Sequence, residues 1–281
     1  MITENIKGKT VAITGCTGGL GNELCFRLSE LGANLIMLDR NAEKSALLSK
    51  KILEMYPQTK IKRITVDLEN FDSVKHTAEL LLEETVDMFF QNAGAYSIPR
   101  KICSTGFDNV FQINFVSHYY ITHKLLEKNV NLKVVAVGSI AHNYSKLDQN
   151  DLDFKTRKSS ALVYGNSKRF LMFSLYKLFE NNPENLSVVH PGITFTNITA
   201  HYPKLIFAII KHPMKVLFMK PKKAVNCLLA GFESPTPKGF WIGPKVFDVW
   251  GNPQFKRLKS YNESEAEKIF FAAEKMYKDI L

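Results

Sequence analysis

Residues 10–21 read "TVAITGCTGGLG", and the order of chemistry along them decides the fold. Thr10 to Thr14 is a short aliphatic and β-branched run of the kind that forms a buried strand. "TGCTGGLG" (Thr14 to Gly21) follows, and from Asn22 to Leu31 the apolar Leu24, Leu28 and Leu31 recur at helical spacing. A glycine-rich turn that leaves a strand and opens a helix is the context a phosphate loop requires. Gly15 suits the sharp turn, Gly19 the approach of backbone to a ligand, and Gly21 the close packing of helix on sheet. Together with Thr14, Thr17, Gly18 and Leu20 they form a candidate pyrophosphate site at a helix N-terminus. Glycines also serve plain tight turns, so the strand–loop–helix context carries the reading.

Further strand-like runs lie at 34–38 ("NLIML"), 61–66 ("IKRITV"), 86–90 ("VDMFF"), 133–137 ("KVVAV") and 186–190 ("LSVVH"), with a last one around "GFWIG" at 239–243. Amphipathic stretches such as Asp72 to Glu84 separate them. Alternation of this kind predicts a single α/β domain over 1–281, a Rossmann-type doubly wound parallel β-sheet of about seven strands flanked by helices. Such a sheet binds ligands at the carboxyl ends of its strands.

With 281 residues, 45% of them hydrophobic, the chain can bury a large core. Met1 to Lys9 is polar and mixed in charge, unlike a secretory signal. The run "LIFAII" (Leu205 to Ile210) is far shorter than the ~20 residues of a membrane crossing. Cys16, Cys25, Cys103 and Cys227 lack the spacing of a zinc site or a disulfide framework, and the histidines lack metal-ligand spacing, so no metal is expected and reduced cytoplasmic thiols are the simpler reading. The formal charge of +10 suits a phosphate-bearing ligand; no aromatic-basic motif supports nucleic acid.

"LDR" closes the second strand and places Asp39 18 residues after Gly21. An acidic residue near the ~20-residue spacing accepts adenosine ribose hydroxyls and repels a 2′-phosphate. Arg40, next in sequence, offers the opposite: a charge-assisted partner for that phosphate. Asp39 tilts the balance toward NAD, and Arg40 leaves NADP open.

"YGNSK" (164–168) sets Tyr164 and Lys168 four apart, neighbours on one helical face. A fixed positive charge beside a phenol favours phenolate, and moving its pKa from ~10 to ~7 needs roughly 4 kcal/mol. Such pairs also occur as plain surface contacts, so the rest of the chain decides.

The rest of the chain resembles the short-chain dehydrogenase/reductase superfamily from about Lys9 to about Asn197. "TGCTGGLG", "VDL", "QNAGA", "INFVSHYYIT", "VAVGSIAH", "YGNSK" and "HPGITFT" occur in the order typical of that superfamily. The resemblance implies a catalytic set of Asn114, Ser139, Tyr164 and Lys168. Tyr164 would exchange a proton with a carbonyl or alcohol oxygen that Ser139 orients. Lys168 would lower the tyrosine pKa and bind the nicotinamide ribose, and Asn114 would position a water leading from the lysine to solvent. It further implies that Asp67 and Leu68 flank the adenine and that Asn92, Ala93 and Gly94 line the adenosine-ribose side. Pro191 and Gly192 would shape the turn after the sixth strand, and Ile193 with Thr196 would hold the nicotinamide carboxamide.

Ser139 precedes Tyr164 by 25 residues, and the intervening insert resembles the retinol-dehydrogenase-like branch. So do "FQINFVSHYYITHKLL" and "KLIFAIIKHPMKVLFMKPKKAV"; Gly138 departs, standing where a serine is usual. The resemblance implies hydride transfer between a nicotinamide cofactor and a lipophilic alcohol or carbonyl, retinoid- or steroid-like. The alternative is a dinucleotide-binding redox sensor or scaffold without turnover, which has no chemical need for a proton-relay set. A substrate lid is expected at about 197–223. Its part from 204 to 223 holds six lysines and no acid among apolar residues, a pattern also suited to peripheral contact with an anionic membrane. A C-terminal helix at about 262–281 would cover the site or contact a second copy in a homo-oligomer.

Overall fold

A computed structural model describes residues 6–193 and 219–281. Eight strands form one sheet in the order β3-β2-β1-β4-β5-β6-β7-β8. Strands β1 (Thr10–Thr14), β2 (Asn34–Asp39), β3 (Ile61–Thr65), β4 (Met88–Gln91), β5 (Lys133–Val137), β6 (Leu186–Val189) and β7 (Phe240–Val246) run parallel. β8 (Trp250–Arg257) returns antiparallel to β7, pairing Ile242 with Phe255. This eighth strand exceeds the seven expected. "WGNPQFKR" alternates poorly and contains Pro253, which an edge strand tolerates because one of its sides makes no ladder bonds.

The central parallel strands β1, β4, β5 and β6 are buried along nearly their whole length because both faces are covered, whereas the edge strand β3 (IKRIT) is largely uncovered. Helices α1 (Gly19–Glu30), α2 (Ala42–Met55) and α6 (Pro221–Glu233) pack on one face around Ile13, Leu24, Leu28, Phe90 and Phe232. The other face carries α3 (Phe71–Leu82), α4, α5 (Ser160–Leu178) and α7 (Glu263–Asp279), around Phe89, Phe111, Phe115, Phe170 and Ile269. α4 begins at Asn109–Phe111, passes through a π-helical turn at Gln112–Val116 and continues as Ser117–Lys128. Side-chain caps fix several starts: Asn41 accepts from Lys44 N at 2.8 Å, Asn70 from Asp72 N at 3.1 Å, and Asn262 from Glu265 N at 3.0 Å.

The sheet order reverses between β1 and β4, and the carboxyl ends of these strands open the crevice that positions the site. Of the lid and membrane-contact stretch at 197–223, all but residues 219–223 lies outside the described residues, and Pro221 already starts α6. No helix among the described residues is long and apolar enough to cross a membrane.

Candidate active site

The phosphate loop is built by close approach of backbone. Gly15 has φ +72°, a conformation that favours glycine, and a β-carbon on Gly21 would overlap Gly15 O and stand 2.9 Å from Asn92 Nδ2. α1 starts at Gly19 with no side-chain cap and no acid in its first turn, so its N-terminal N–H groups face the crevice without an internal competitor. Asn92 supports the loop from β4: its Nδ2 donates to Thr14 O at 2.9 Å and Gly15 O at 3.1 Å. Thr14 Oγ1 accepts from Asn92 N and Ala93 N and meets the buried His118 Nε2 at 2.9 Å. Burial next to Lys168 drives the His118 pKa down to about 3, which keeps the imidazole neutral.

A cleft of about 520 Å³ runs from this loop across the ends of β1, β2 and β4. Gly15, Thr17, Gly18, Gly19, Leu20, Gly21, Asp39, Arg40, Asp67, Leu68, Asn92, Ala93 and Gly94 all line it, as the motifs anticipate. Lys44, Tyr96, Ile98 and Ile113 also line it and were not anticipated. Lys44 lies in the first turn of α2, behind the Asn41 cap.

Asp39 sits differently from the expectation. Its carboxylate is 2% exposed and already engaged: Oδ1 accepts from Thr17 N at 2.9 Å and Thr17 Oγ1 at 3.1 Å, and Oδ2 accepts from Ser45 Oγ at 3.0 Å. Burial raises its pKa against these hydrogen bonds. Arg40 and Lys44 are exposed at the rim. Cys16, also in the loop, is buried, its thiol donates to Ile13 O at 3.2 Å, and burial pushes its pKa up, the opposite of an activated thiolate.

Tyr164 and Lys168 lie on α5, which starts behind a Ser159 cap, and Ser139 lies at the end of β5. The Ser139 side chain hydrogen-bonds the half-buried Tyr164 phenol and lowers its pKa, but burial outweighs that and the net shift is upward. The lowering expected from the lysine is therefore not the direction found. Lys168 is 2% exposed, its Nζ 6.0 Å from the Tyr164 ring centroid and donating to Val137 O at 2.8 Å. Burial brings its own pKa down to about 8.

Asn114 occupies the π-helical turn, a distortion frequent at functional sites. Its Nδ2 donates to Ala95 O at 2.9 Å and Ser167 Oγ at 3.1 Å, and its Oδ1 accepts from Ala95 N at 2.9 Å. It thereby joins the loop after β4 to α5. A β-carbon on Gly94 would lie 2.9 Å from Asn114 Oδ1 and 3.6 Å from Lys168 Nζ, so glycine keeps the path from cleft to lysine open.

Pro191 and Gly192 are buried in the turn after β6; Gly192 has φ +83°, and a β-carbon there would stand 2.7 Å from Val249 O. Ile193 O accepts from Met219 N at 3.0 Å. Thr196 lies outside the described residues. Gly138 is explained by packing, since a β-carbon there would approach Met172 Sδ to 2.7 Å. His142 is 1% exposed and packed edge-on against Trp241.

The features fit a dinucleotide: an uncapped helix N-terminus, a glycine cradle, and a cleft leading past Gly94 to Lys168. The family model described as short chain dehydrogenase matches residues 9–204. The chain belongs to the short chain dehydrogenase family. Within it the chain resembles the retinol-dehydrogenase-like branch. It is 28% identical over 205 residues to human (Homo sapiens) retinol dehydrogenase 13, covering 70% of this chain and 62% of that protein, so it spans less than two thirds of this relative's length. Mus musculus retinol dehydrogenase 12 is 28% identical over 235 residues, covering 80% and 74%. Among solved structures, a short-chain dehydrogenase from Sphingobium yanoikuyae in complex with NADPH shares the fold with a TM-score of 0.64 at 17% identity, over 97% of this chain and 96% of that one. A Burkholderia phymatum short chain dehydrogenase/reductase in complex with NAD does so with a TM-score of 0.60 at 17% identity, over 82% and 88%.

Proposed function

We propose that this short chain dehydrogenase family member is an NAD(P)-dependent oxidoreductase that interconverts a lipophilic alcohol and its carbonyl, with Tyr164 as proton donor and acceptor. The observation that carries the reading is the convergence of Tyr164, Ser139 and Lys168 from α5 and β5 beside a glycine-cradled cleft. A bound nicotinamide supplies or accepts the hydride. In reduction the Tyr164 hydroxyl gives its proton to the carbonyl oxygen, and Ser139 Oγ hydrogen-bonds that oxygen and stabilises the charge it gains. In oxidation the phenolate takes the alcohol proton. Lys168, neighbour to the phenol, contributes a positive charge that favours phenolate and a proton that replaces the one lost. Asn114 holds the Ala95 backbone and Ser167 in register, keeping open the route by which Lys168 exchanges protons with solvent.

The cofactor reading shifts with Asp39. A carboxylate committed to Thr17 and Ser45 acts as a brace for the phosphate loop, and the exposed Arg40 and Lys44 favour the 2′-phosphate of NADP. The retinol dehydrogenases among the relatives and the apolar Ile98 and Ile113 beside the Tyr96 ring at the cleft wall support a retinoid- or steroid-like substrate. The test is oxidation of NADPH and NADH against retinoid, steroid and small aliphatic carbonyls. Faster turnover with NADPH and a lipophilic carbonyl is expected. Tight dinucleotide binding with no turnover across the panel would return the protein to the redox-sensor class.

A further inference from the structure

Arg169 follows Lys168 directly on α5, and the helical step turns it away from the cleft into the protein. It is 3% exposed, and all three of its nitrogens donate. Nη1 reaches His142 O at 3.0 Å, Nη2 reaches Ser260 O at 3.2 Å and Glu265 Oε2, and Nε reaches Glu265 Oε1 at 2.9 Å. Its guanidinium also lies 4.6 Å from the Phe173 ring centroid. Glu265 comes from the first turn of α7, and its Oε1 accepts from Leu147 N at 2.9 Å. Burial works against its charge, but the Arg169 bonds and the Leu147 amide prevail and hold its carboxyl below the usual range.

Two of the three backbone contacts of this pair, His142 O and Leu147 N, fall on the segment that follows Ser139; the third, Ser260 O, lies just before α7. His142 ends a short chain: its N and Nδ1 meet Ser139 O at 3.1 and 2.6 Å, and Ala141 N donates to Ser139 Oγ at 3.2 Å. The 3-10 turn Ile140–Tyr144 is thus gripped at His142 by Arg169, and the chain just beyond it is gripped at Leu147 by Glu265. A buried ion pair of this kind contributes little net stability compared with an apolar pair of equal volume. Its geometric effect is larger, because a planar guanidinium with all three nitrogens engaged fixes its partners in direction as well as distance.

We propose that Arg169 and Glu265 are positioning residues for Ser139, so that the C-terminal helix α7 is part of the frame of the active site. The proposal rests on the reading of Ser139 and Tyr164 given above. It makes α7 a strut against α5 whose release lets the Ser139 turn drift from the Tyr164 phenol.

The test reads the Tyr164 ionisation directly and requires no substrate. Phenolate absorbance is titrated in the full-length protein, and Tyr164→Phe in each background isolates the Tyr164 signal. Among the described residues the polar groups bearing on that phenol are Ser139 and Tyr96, with Lys168 Nζ 6.0 Å from its ring centroid, so a variant at Arg169 or Glu265 is expected to reach it through them. Ser139→Ala, which deletes the hydrogen bond, is expected to raise the Tyr164 pKa by about half a unit or more. Arg169→Leu and Glu265→Gln are expected to raise it in the same direction while NADPH affinity stays within about twofold of wild type. Should Arg169→Leu fold poorly, Glu265→Gln, which keeps the shape of the side chain, decides. A shift in Ser139→Ala with Tyr164 unmoved in the Arg169 and Glu265 variants overturns the positioning proposal. No shift in Ser139→Ala overturns the reading of the site beneath it.

Discussion

Gly165 lies flush against the turn that carries Ser139: a β-carbon there would overlap the Ala141 carbonyl oxygen and stand 2.8 Å from Ser145 Oγ. The residue after Tyr164 therefore sets how closely α5 approaches the end of β5. Gly165→Ala is expected to push the turn outward, costing about 1–3 kcal/mol of stability as overpacking does. Turnover should fall at least about tenfold, since small misplacements near reacting groups are costly. Dinucleotide affinity should change little, because Gly165 does not line the cofactor cleft. Steady-state kinetics with a dinucleotide titration checks both.

Lys168 carries a buried charge whose pKa is down to about 8 from 10.5. Between these values the unfolded chain binds more protons than the folded one, so this group makes stability rise with pH from about 8 to 10.5; below 8 its cost is fully present. Lys168→Met should abolish turnover yet leave the protein at least as stable at pH 7, by up to about 3 kcal/mol less the Val137 hydrogen bond. Denaturant unfolding at pH 7 and pH 10 measures this. A Met variant clearly less stable than wild type at pH 7 would contradict it.

The neutral buried histidines give the opposite end of the pH profile. His118, with a pKa of about 3, and His142 and His190, each about 4, are all lowered first by burial. Unfolded histidines titrate near 6.5, so stability is full above that pH and is lost as pH falls toward 3–4. Each contributes a loss of about 2 kcal/mol by pH 5. In urea unfolding at pH 7 and pH 5, His118→Gln should lose about 2 kcal/mol less than wild type between the two.

Asp39 and Arg40 separate two ideas of cofactor choice. If Asp39 braces the loop through Thr17 and Ser45, Asp39→Ala weakens NADH and NADPH alike. If it selects between them, the same change weakens NADH and favours NADPH. Arg40→Ala should weaken NADPH roughly tenfold or more and leave NADH nearly unchanged, the loss of a charge-assisted phosphate contact. Fluorescence titration of both dinucleotides resolves the alternatives.

How far these features are legible in the sequence depends on whether they are local. β1 and β5 end where the apolar runs end, because each is buried on both faces. β4 begins at Met88 and not Val86, since the Asp87 carboxylate is occupied with Thr10 N at 2.8 Å and Lys9. The π-helical turn at Asn114 has no spacing signature, and β8 hides behind Gly251 and Pro253. At the site, the glycine loop and the Tyr164–Lys168 pair announce themselves by spacing. The withdrawal of Asp39, the bracing role of Asn92 and the engagement of Arg169 depend on partners 22, 77 and 96 residues away, which only the folded chain brings together.

The most direct measurement is NADPH oxidation by wild type and Tyr164→Phe against a lipophilic carbonyl at saturating cofactor, with NADPH affinity measured in parallel. The account predicts that the variant binds NADPH as wild type does and loses turnover by a factor of about 100 or more, as removal of a general acid does. Turnover retained in Tyr164→Phe would contradict it.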